Sequence, residues 1–193
     1  MIVTLSGVTG VGKSFFKNLI VAELGFNNMV INTTRKIREG EVNGIDKRFL
    51  SDIEFQKLKN DGIIANDFEF LGYKYAYNVE DLKSDNNLVT EVHYSNILDF
   101  KKNAKNVFAI YMIPNNIERA KLELRKRNLP LNIEKDRLNE IDEHIKIFSN
   151  SKKLQDQFDY VFVNNYDLVS KEKILTIIKN KLERENWLCQ KKL

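Results

Sequence analysis

Cysteine is almost missing from this chain. Cys189 is the only one among 193 residues, which excludes a disulfide framework and a cysteine-built metal site. Long apolar runs are missing too. None approaches the roughly 18 residues of a membrane-spanning helix, and the opening run Ile2–Leu5 is too short for the core of a signal peptide. A soluble cytoplasmic protein with no membrane partner is expected. The two histidines, His93 and His144, come without zinc-binding spacing. Proline occurs twice, at Pro114 and Pro130, each at a break between patterned segments. Repeats and low-complexity linkers are absent, so the length fits one domain with room for a small insertion. A strong charge of one sign is lacking as well. The net charge is +4, and no arginine-rich helix with base-reading polar side chains accompanies it, so nucleic acid is not an expected partner.

What is present begins with an apolar fraction of 42%, enough for a packed core. The most informative stretch is the first. Ile2-Val3-Thr4-Leu5 has strand composition and leads into Gly7-Val8-Thr9-Gly10-Val11-Gly12-Lys13-Ser14, a glycine, four residues, then Gly-Lys-Ser. Phe15, Phe16, Leu19, Ile20 and Leu24 follow at helical spacing. Strand, glycine loop and helix in this order form a phosphate-binding unit, because the N–H groups of the loop and helix start converge on one phosphate-sized centre. In such a unit Lys13 reaches the β- and γ-phosphates and Ser14 ligates Mg²⁺. ATP with Mg²⁺ is the expected cofactor set.

Gly25 turns the chain into a short second strand, Met29–Ile31. The stretch 32–87 then changes character, with short patterned pieces and many charges. Ser51 and Glu54 fit a capping box for a short helix to about Leu58. Ile63-Ile64, Phe68–Phe70 and Tyr73–Tyr77 read as strands with a turn at Gly72. This stretch is expected to be a small lobe inserted after strand two. Strands at Leu88–Val92, Val107–Met112 and Tyr160–Val163 alternate with helices at Asn96–Lys102, Ile117–Arg127, Ile133–Phe148 and around Ile174–Leu182. The alternation predicts an open α/β fold with a parallel sheet. Lys179–Leu193 is expected to extend the last helix along the body or to make a subunit contact.

The segment Thr33-Thr34-Arg35 to Arg38, then Gly40-Glu41-Val42-Asn43-Gly44-Ile45-Asp46, together with the glycine loop, resembles the guanylate kinase family. The likeness runs from the loop to about Lys179. It implies a parallel five-stranded P-loop NTPase-type sheet flanked by helices, with a core of 1–31 and 88–193, a nucleoside-monophosphate lobe of 32–87 and a lid of about 127–137. It also implies phosphoryl transfer from ATP to a nucleoside monophosphate, GMP or dGMP in the first instance, by a monomer or homodimer. Carried over by motif, Arg125, Arg127 and Arg137 match the lid arginines, Asn164 the polar residue near the adenine, and Arg35, Arg38 and Tyr75 the holders of the acceptor phosphate. Arginine suits such positions because its planar multi-donor group tracks the oxygens of a transferring phosphoryl.

Elsewhere the chain departs from the family pattern. Lys47 stands in place of a tyrosine, Ile31 and Tyr77 in place of serines, and Asn66 in place of the glutamate that reads guanine. Guanine offers two adjacent donors on that edge, which a carboxylate meets with acceptors and an amide does not. A shifted register would bring Asp67 or Glu69 there instead. At the third strand Glu91 and His93 replace two aspartates. Glu91 retains a role toward Mg²⁺ through water, while His93 either contacts substrate or packs over it; His144 reads as a surface or half-buried helix residue. Three readings stay open: a kinase of this family, with another nucleotide or a sugar phosphate as the alternative acceptor; a non-catalytic binding module of the same fold; and a nucleic-acid-binding NTPase.

Overall fold

The computed structural model describes residues 1–190, so 191–193 of the C-terminal stretch lie outside the described residues. Five strands build the main sheet: β1 (Ile2–Gly7), β2 (Asn27–Asn28), β7 (Leu88–Glu91), β8 (Val107–Pro114) and β9 (Tyr160–Asn164), in the order β2-β7-β1-β8-β9. All pairs are parallel. β1 lies centrally and is buried along nearly its whole length, its polar Thr4 and Ser6 included. Each face of the sheet carries its own apolar cluster. One joins Leu5, Phe16, Ile20, Ile110 and Phe162 to Ile141 and Ile174. The other joins Met29, Ile97, Phe100, Tyr111 and Phe148. The flanking helices are α1 (Lys13–Leu24), α4 (Ile97–Asn103), α5 (Ile117–Arg125), α6 (Leu131–Asn150), the short α7 (Lys152–Gln155) and α8 (Leu168–Gln190). Among the described residues no helix is long and apolar enough to cross a membrane.

A second, four-stranded sheet has the order β4-β3-β6-β5, from β3 (Ile31–Thr33), β4 (Lys47–Phe49), β5 (Ile64–Phe70) and β6 (Tyr73–Asn78). It packs on α2 (Asp52–Asn60) through Phe55, Ile64 and Ala76, and α3 (Val79–Lys83) returns the chain to the main sheet. The expected capping box is present: Ser51 Oγ accepts from Glu54 N–H, and Glu54 accepts from Ser51 N–H. Leu71 and Gly72 both take positive φ, 53° and 72°, and close a two-residue hairpin between Phe70 and Tyr73.

Two local differences from the sequence reading matter. The expected strand Met29–Ile31 is split: Asn27–Asn28 pairs with the main sheet, and Ile31 begins the second one. Ile64, of the expected Ile63-Ile64, and Phe68–Phe70 are parts of one strand that is bulged between Ala65 and Phe68. Asn66 takes φ 57° at that bulge, a left-handed conformation that asparagine tolerates better than most residues. The extra residue puts Phe68 and Phe70 on the same face as Ala65 before the bulge, with Ala65 and Phe68 paired to Tyr77 and Tyr75.

Candidate active site

The glycine loop leaves β1 at the carboxyl edge of the sheet. Gly12 takes φ 97° and caps α1 without a side-chain cap, and no acidic residue occupies the first turn. The N–H groups at the helix start therefore remain available to an anion. The loop is held from behind. Asn164 Nδ2 donates to Val11 O at 2.9 Å and Tyr166 OH to Gly10 O at 3.2 Å. Gly10, at φ +81°, lies so close to α5 that a Cβ on it would sit 2.1 Å from Ala120 O. Val8 and Val11 are buried behind the loop.

Lys13 Nζ donates to Gly7 O at 2.8 Å and Val8 O at 2.9 Å. Burial pushes its ammonium below the ordinary value; Glu91 opposes this, while Arg127 and Arg137 reinforce it. Ser14 Oγ donates to Glu91 Oε1 at 2.7 Å. Burial would raise the Glu91 carboxyl, but Lys47, Lys13, Lys17 and the Ser14 hydroxyl outweigh it and bring it down to about 2. The hydroxyl and carboxylate form a pair of hard oxygen donors beside the loop. Among the described residues no group of three or more histidine, cysteine, aspartate or glutamate side chains could hold a metal ion by itself.

The second sheet brings its own cations to the same space. Arg35, buried, donates from Nη2 to both Glu41 oxygens at 2.7 and 3.0 Å, and Glu41 also accepts from Arg38 N–H at 2.9 Å. Lys47 is lowered first by its burial, with Glu91 opposing and Lys17 adding to the effect. A single cavity of about 640 Å³ is lined by Gly12, Lys13, Ser14 and Glu91 at one end and by Arg35, Arg38, Lys47 and Tyr75 at the other. From the lid stretch, Arg127 and Arg137 line it as well. Arg137 Nη1 donates to Glu140 Oε2 at 2.8 Å, and its guanidinium stands over Phe70 at 5.3 Å.

Several predicted site residues are not brought to the cavity. Arg125 ends α5 with its side chain 49% exposed, 4.0 Å from Glu134; the helix stops before the turn that would point it inward. Asn66 is turned by the bulge toward α4, where its Oδ1 accepts from Asn103 Nδ2 at 3.0 Å. Neither Asp67 nor Glu69 takes its place: Asp67 pairs with Lys59, and Glu69 is exposed and outside the lining. Tyr77 is fully buried under the second sheet, donating to Glu91 O at 3.0 Å. Asn164 does line the cavity, yet both ends of its amide are engaged, by Val11 O and Tyr166 N–H. It braces the loop, where the sequence reading had it facing adenine.

Ile31, which the sequence reading placed among the base-reading positions, lines the cavity, and residues that the reading did not assign to the site join it. Ile31, Phe68, Phe70 and Val92 form an apolar wall, with Phe68 stacked on Tyr75 at 5.2 Å. His144 is in that wall too, 5.4 Å from His93, and not on the outer surface of α6. Burial, with His144 and Lys13 adding to it, pushes His93 down to about 4. At the opposite end Arg119 stands over the Tyr166 ring at 5.5 Å. The alternation Phe68-x-Phe70 was a visible signal; the arrival of His144 from another helix had none.

Cations from the glycine loop, the second sheet and the stretch 127–137 thus line one cavity. A sequence model of guanylate kinase matches residues 1–185. The chain belongs to the guanylate kinase family. As a family member it is a phosphotransferase. It is 29% identical to the guanylate kinase of Oceanobacillus iheyensis over 97% of this chain and 91% of that one. It is 31% identical to the Rickettsia prowazekii enzyme over 92% and 90%. The crystal structure of guanylate kinase from Anaplasma phagocytophilum superposes with a TM-score of 0.67 at 24% identity, covering 96% of this chain and 85% of that one. A shikimate kinase from Acinetobacter baumannii shares the fold alone, with a TM-score of 0.53 at 15% identity.

Proposed function

We propose that this phosphotransferase moves the γ-phosphoryl group of ATP, with Mg²⁺, to a nucleoside monophosphate, GMP and dGMP being the acceptors that the family relationship suggests. The proposal includes a cytoplasmic setting and a monomeric or homodimeric enzyme. The observation that carries it is the shared cavity: the glycine loop with Lys13 and Ser14, and the cation cluster of Arg35, Arg38 and Lys47, line one and the same space. Two phosphorylated ligands entering from opposite ends would meet phosphate to phosphate, and holding them so supplies most of the acceleration available to phosphoryl transfer.

The residues present fit Mg²⁺ and ATP. The uncapped helix start and the loop N–H groups suit the phosphates. Ser14 and Glu91 offer the one or two hard oxygens that Mg²⁺ takes from protein, the remainder coming from phosphates and water. When bound, the ion neutralises charge on the phosphates. The protein's own part is positional and electrostatic. Lys13 exchanges its loop carbonyls for phosphate oxygens, Arg35 and Arg38 with Lys47 and Tyr75 hold the acceptor phosphate, and Arg127 and Arg137 spread charge over the group in transit and exclude water. The depressed ammonium groups of Lys13 and Lys47 favour the same outcome, because bound anions restore them toward their ordinary values.

A coupled assay of ADP release with Mg-ATP, run across GMP, dGMP, AMP, CMP, UMP and dTMP, tests this proposal. Turnover that requires both a nucleotide acceptor and Mg²⁺ supports it. Binding of ATP by calorimetry without turnover on any acceptor refutes it in favour of a binding module.

A further inference from the structure

Where β7 ends, His93 starts a short 3₁₀ turn, Tyr94–Asn96, and its Nδ1 caps that turn. Ser95 N–H donates to Nδ1 at 3.4 Å, and Ser95 Oγ lies 2.7 Å from the same nitrogen. A backbone N–H can only donate, so Nδ1 carries the lone pair and the ring proton is assigned to Nε2. Nε2 is buried and has no hydrogen-bond partner among the described residues. The ring itself lines the cavity, with Phe70 at 4.5 Å and Phe68 at 6.3 Å. A buried N–H of this kind is costly unless a ligand supplies the acceptor.

The polarity of this wall runs opposite to what the donor edge of guanine requires. Asn66 is turned away to Asn103. The carboxylates on the acceptor side are engaged: Glu41 by Arg35, Glu91 by Ser14, and Glu140 by Arg137. What the wall presents to a base is a set of aromatic faces, which stack on any base without choosing among them, together with the rings of His93 and His144, and of these His93 carries the ring nitrogen that lacks a hydrogen-bond partner among the described residues.

Resting on the proposed phosphoryl transfer to a nucleoside monophosphate, we infer that His93 determines acceptor specificity as a hydrogen-bond donor. The enzyme then takes oxo-base nucleotides through a carbonyl oxygen and does not read the 2-amino group of guanine. Inosine monophosphate, which differs from GMP by that amino group alone, becomes as good an acceptor as GMP, whereas a site built to bond the amino group would reject it by orders of magnitude.

The test is steady-state ADP release at saturating Mg-ATP with GMP, IMP, dTMP and AMP. Expected are kcat/KM values for IMP and GMP within about threefold of each other, and both at least about tenfold above AMP. His93→Phe should raise the KM for IMP about tenfold while leaving kcat and the KM for ATP within about threefold. His93→Gln, whose amide still donates, should restore the KM. His93→Asp, which offers acceptors only, should make GMP preferred over IMP by about tenfold or more. Melting curves establish that each variant folds, and the Gln and Asp pair decides the matter if the Phe variant does not. A wild-type preference for GMP over IMP above tenfold, equal use of AMP and IMP, or an unchanged KM in His93→Phe overturns the inference while leaving the kinase reading standing. No turnover with any acceptor, with ATP still bound, overturns both.

Discussion

Two glycines with nearly the same backbone conformation should respond very differently to alanine. Gly25 closes α1 at φ +67°, and a Cβ there would meet nothing within 4 Å. Gly10 takes φ +81°, but its Cβ would lie 2.1 Å from Ala120 O and 2.9 Å from Ala120 C. Left-handed backbone costs an L-residue about 1–2 kcal/mol, and the loss of unfolded-chain freedom returns about 0.4–1 kcal/mol. Gly25→Ala should therefore lose about 1 kcal/mol, or about 2–4 °C of Tm for a chain of this size. Gly10→Ala carries the same strain and must also move the loop off α5 by more than an ångström, because the obstacle is a backbone carbonyl and not a side chain that can swing aside. Overpacking of that kind adds about 1–3 kcal/mol, for a total of about 2–4 kcal/mol and a Tm lower by about 10 °C. The shift also strains the Tyr166 bond to Gly10 O, so affinity for Mg-ATP should fall with stability. Circular dichroism melts at a fixed scan rate, with calorimetry of ATP binding, measure both. Equal Tm losses in the two variants, with ATP affinity intact, would refute the claim that α5 sets the shape of the loop.

Further expectations follow from the same geometry. Lys13→Ala should cut kcat by about 10²-fold or more while Tm moves by only a few degrees, since the lysine's protein partners are two loop carbonyls; a collapse of Tm comparable with that of Gly10→Ala would make its role structural. Arg137→Ala should lower kcat by about 10²-fold or more, whereas the half-exposed Arg125 should tolerate alanine within about threefold, and comparable losses at both would show that Arg125 reaches the phosphates when the lid closes. Burial alone would raise the Glu41 carboxyl, but Arg35 and the Arg38 N–H hold it below its ordinary 4.5. Its folded value is thus below its unfolded one, so its stabilisation is present above about pH 4.5 and is lost as the pH falls through the folded value. The acid limb of Tm against pH should be shallower in Glu41→Gln than in the wild type, and superimposable limbs would remove Glu41 from the acid response.

The parts of the site that follow one another in the chain were legible in its sequence. Gly7 to Ser14 with a strand before and a helix after specified the phosphate loop, and Ser51 with Glu54 specified the start of α2. The parallel core was legible from the unbroken apolar run at Val107–Met112, because a strand covered on both faces has no polar side. The base wall was legible only in part. The alternation Phe68-x-Phe70 was visible, but a single extra residue in β5 changes which side chains before Phe68 share its face, and nothing in the pattern announces that residue. Asn66 therefore occupied the right position in the motif and the wrong side of the strand. Tyr77 failed for a related reason: its neighbour pairing put it under the sheet, where burial raises its hydroxyl well above the tyrosine range. Arg125 and Arg127 are separated by one residue, Lys126, at a helix end, a distance at which direction depends on where the helix stops.

The two sheets divide the labour of recognition in a way that bears on how this enzyme can change. On the proposed reading, the loop for a donor nucleotide belongs to the main sheet, the cations for an acceptor phosphate come from β3, β4 and their connection, and the wall for a base is assembled from Ile31, Phe68, Phe70, His93 and His144. Those five side chains make no hydrogen bond to Lys13, Ser14, Arg35 or Arg137. A library restricted to them, Phe70 excepted because the Arg137 guanidinium rests over its ring at 5.3 Å, would explore new bases while the phosphate-handling groups stay as they are, and selection on nucleotide diet would redraw the wall in the same manner, one substitution at a time.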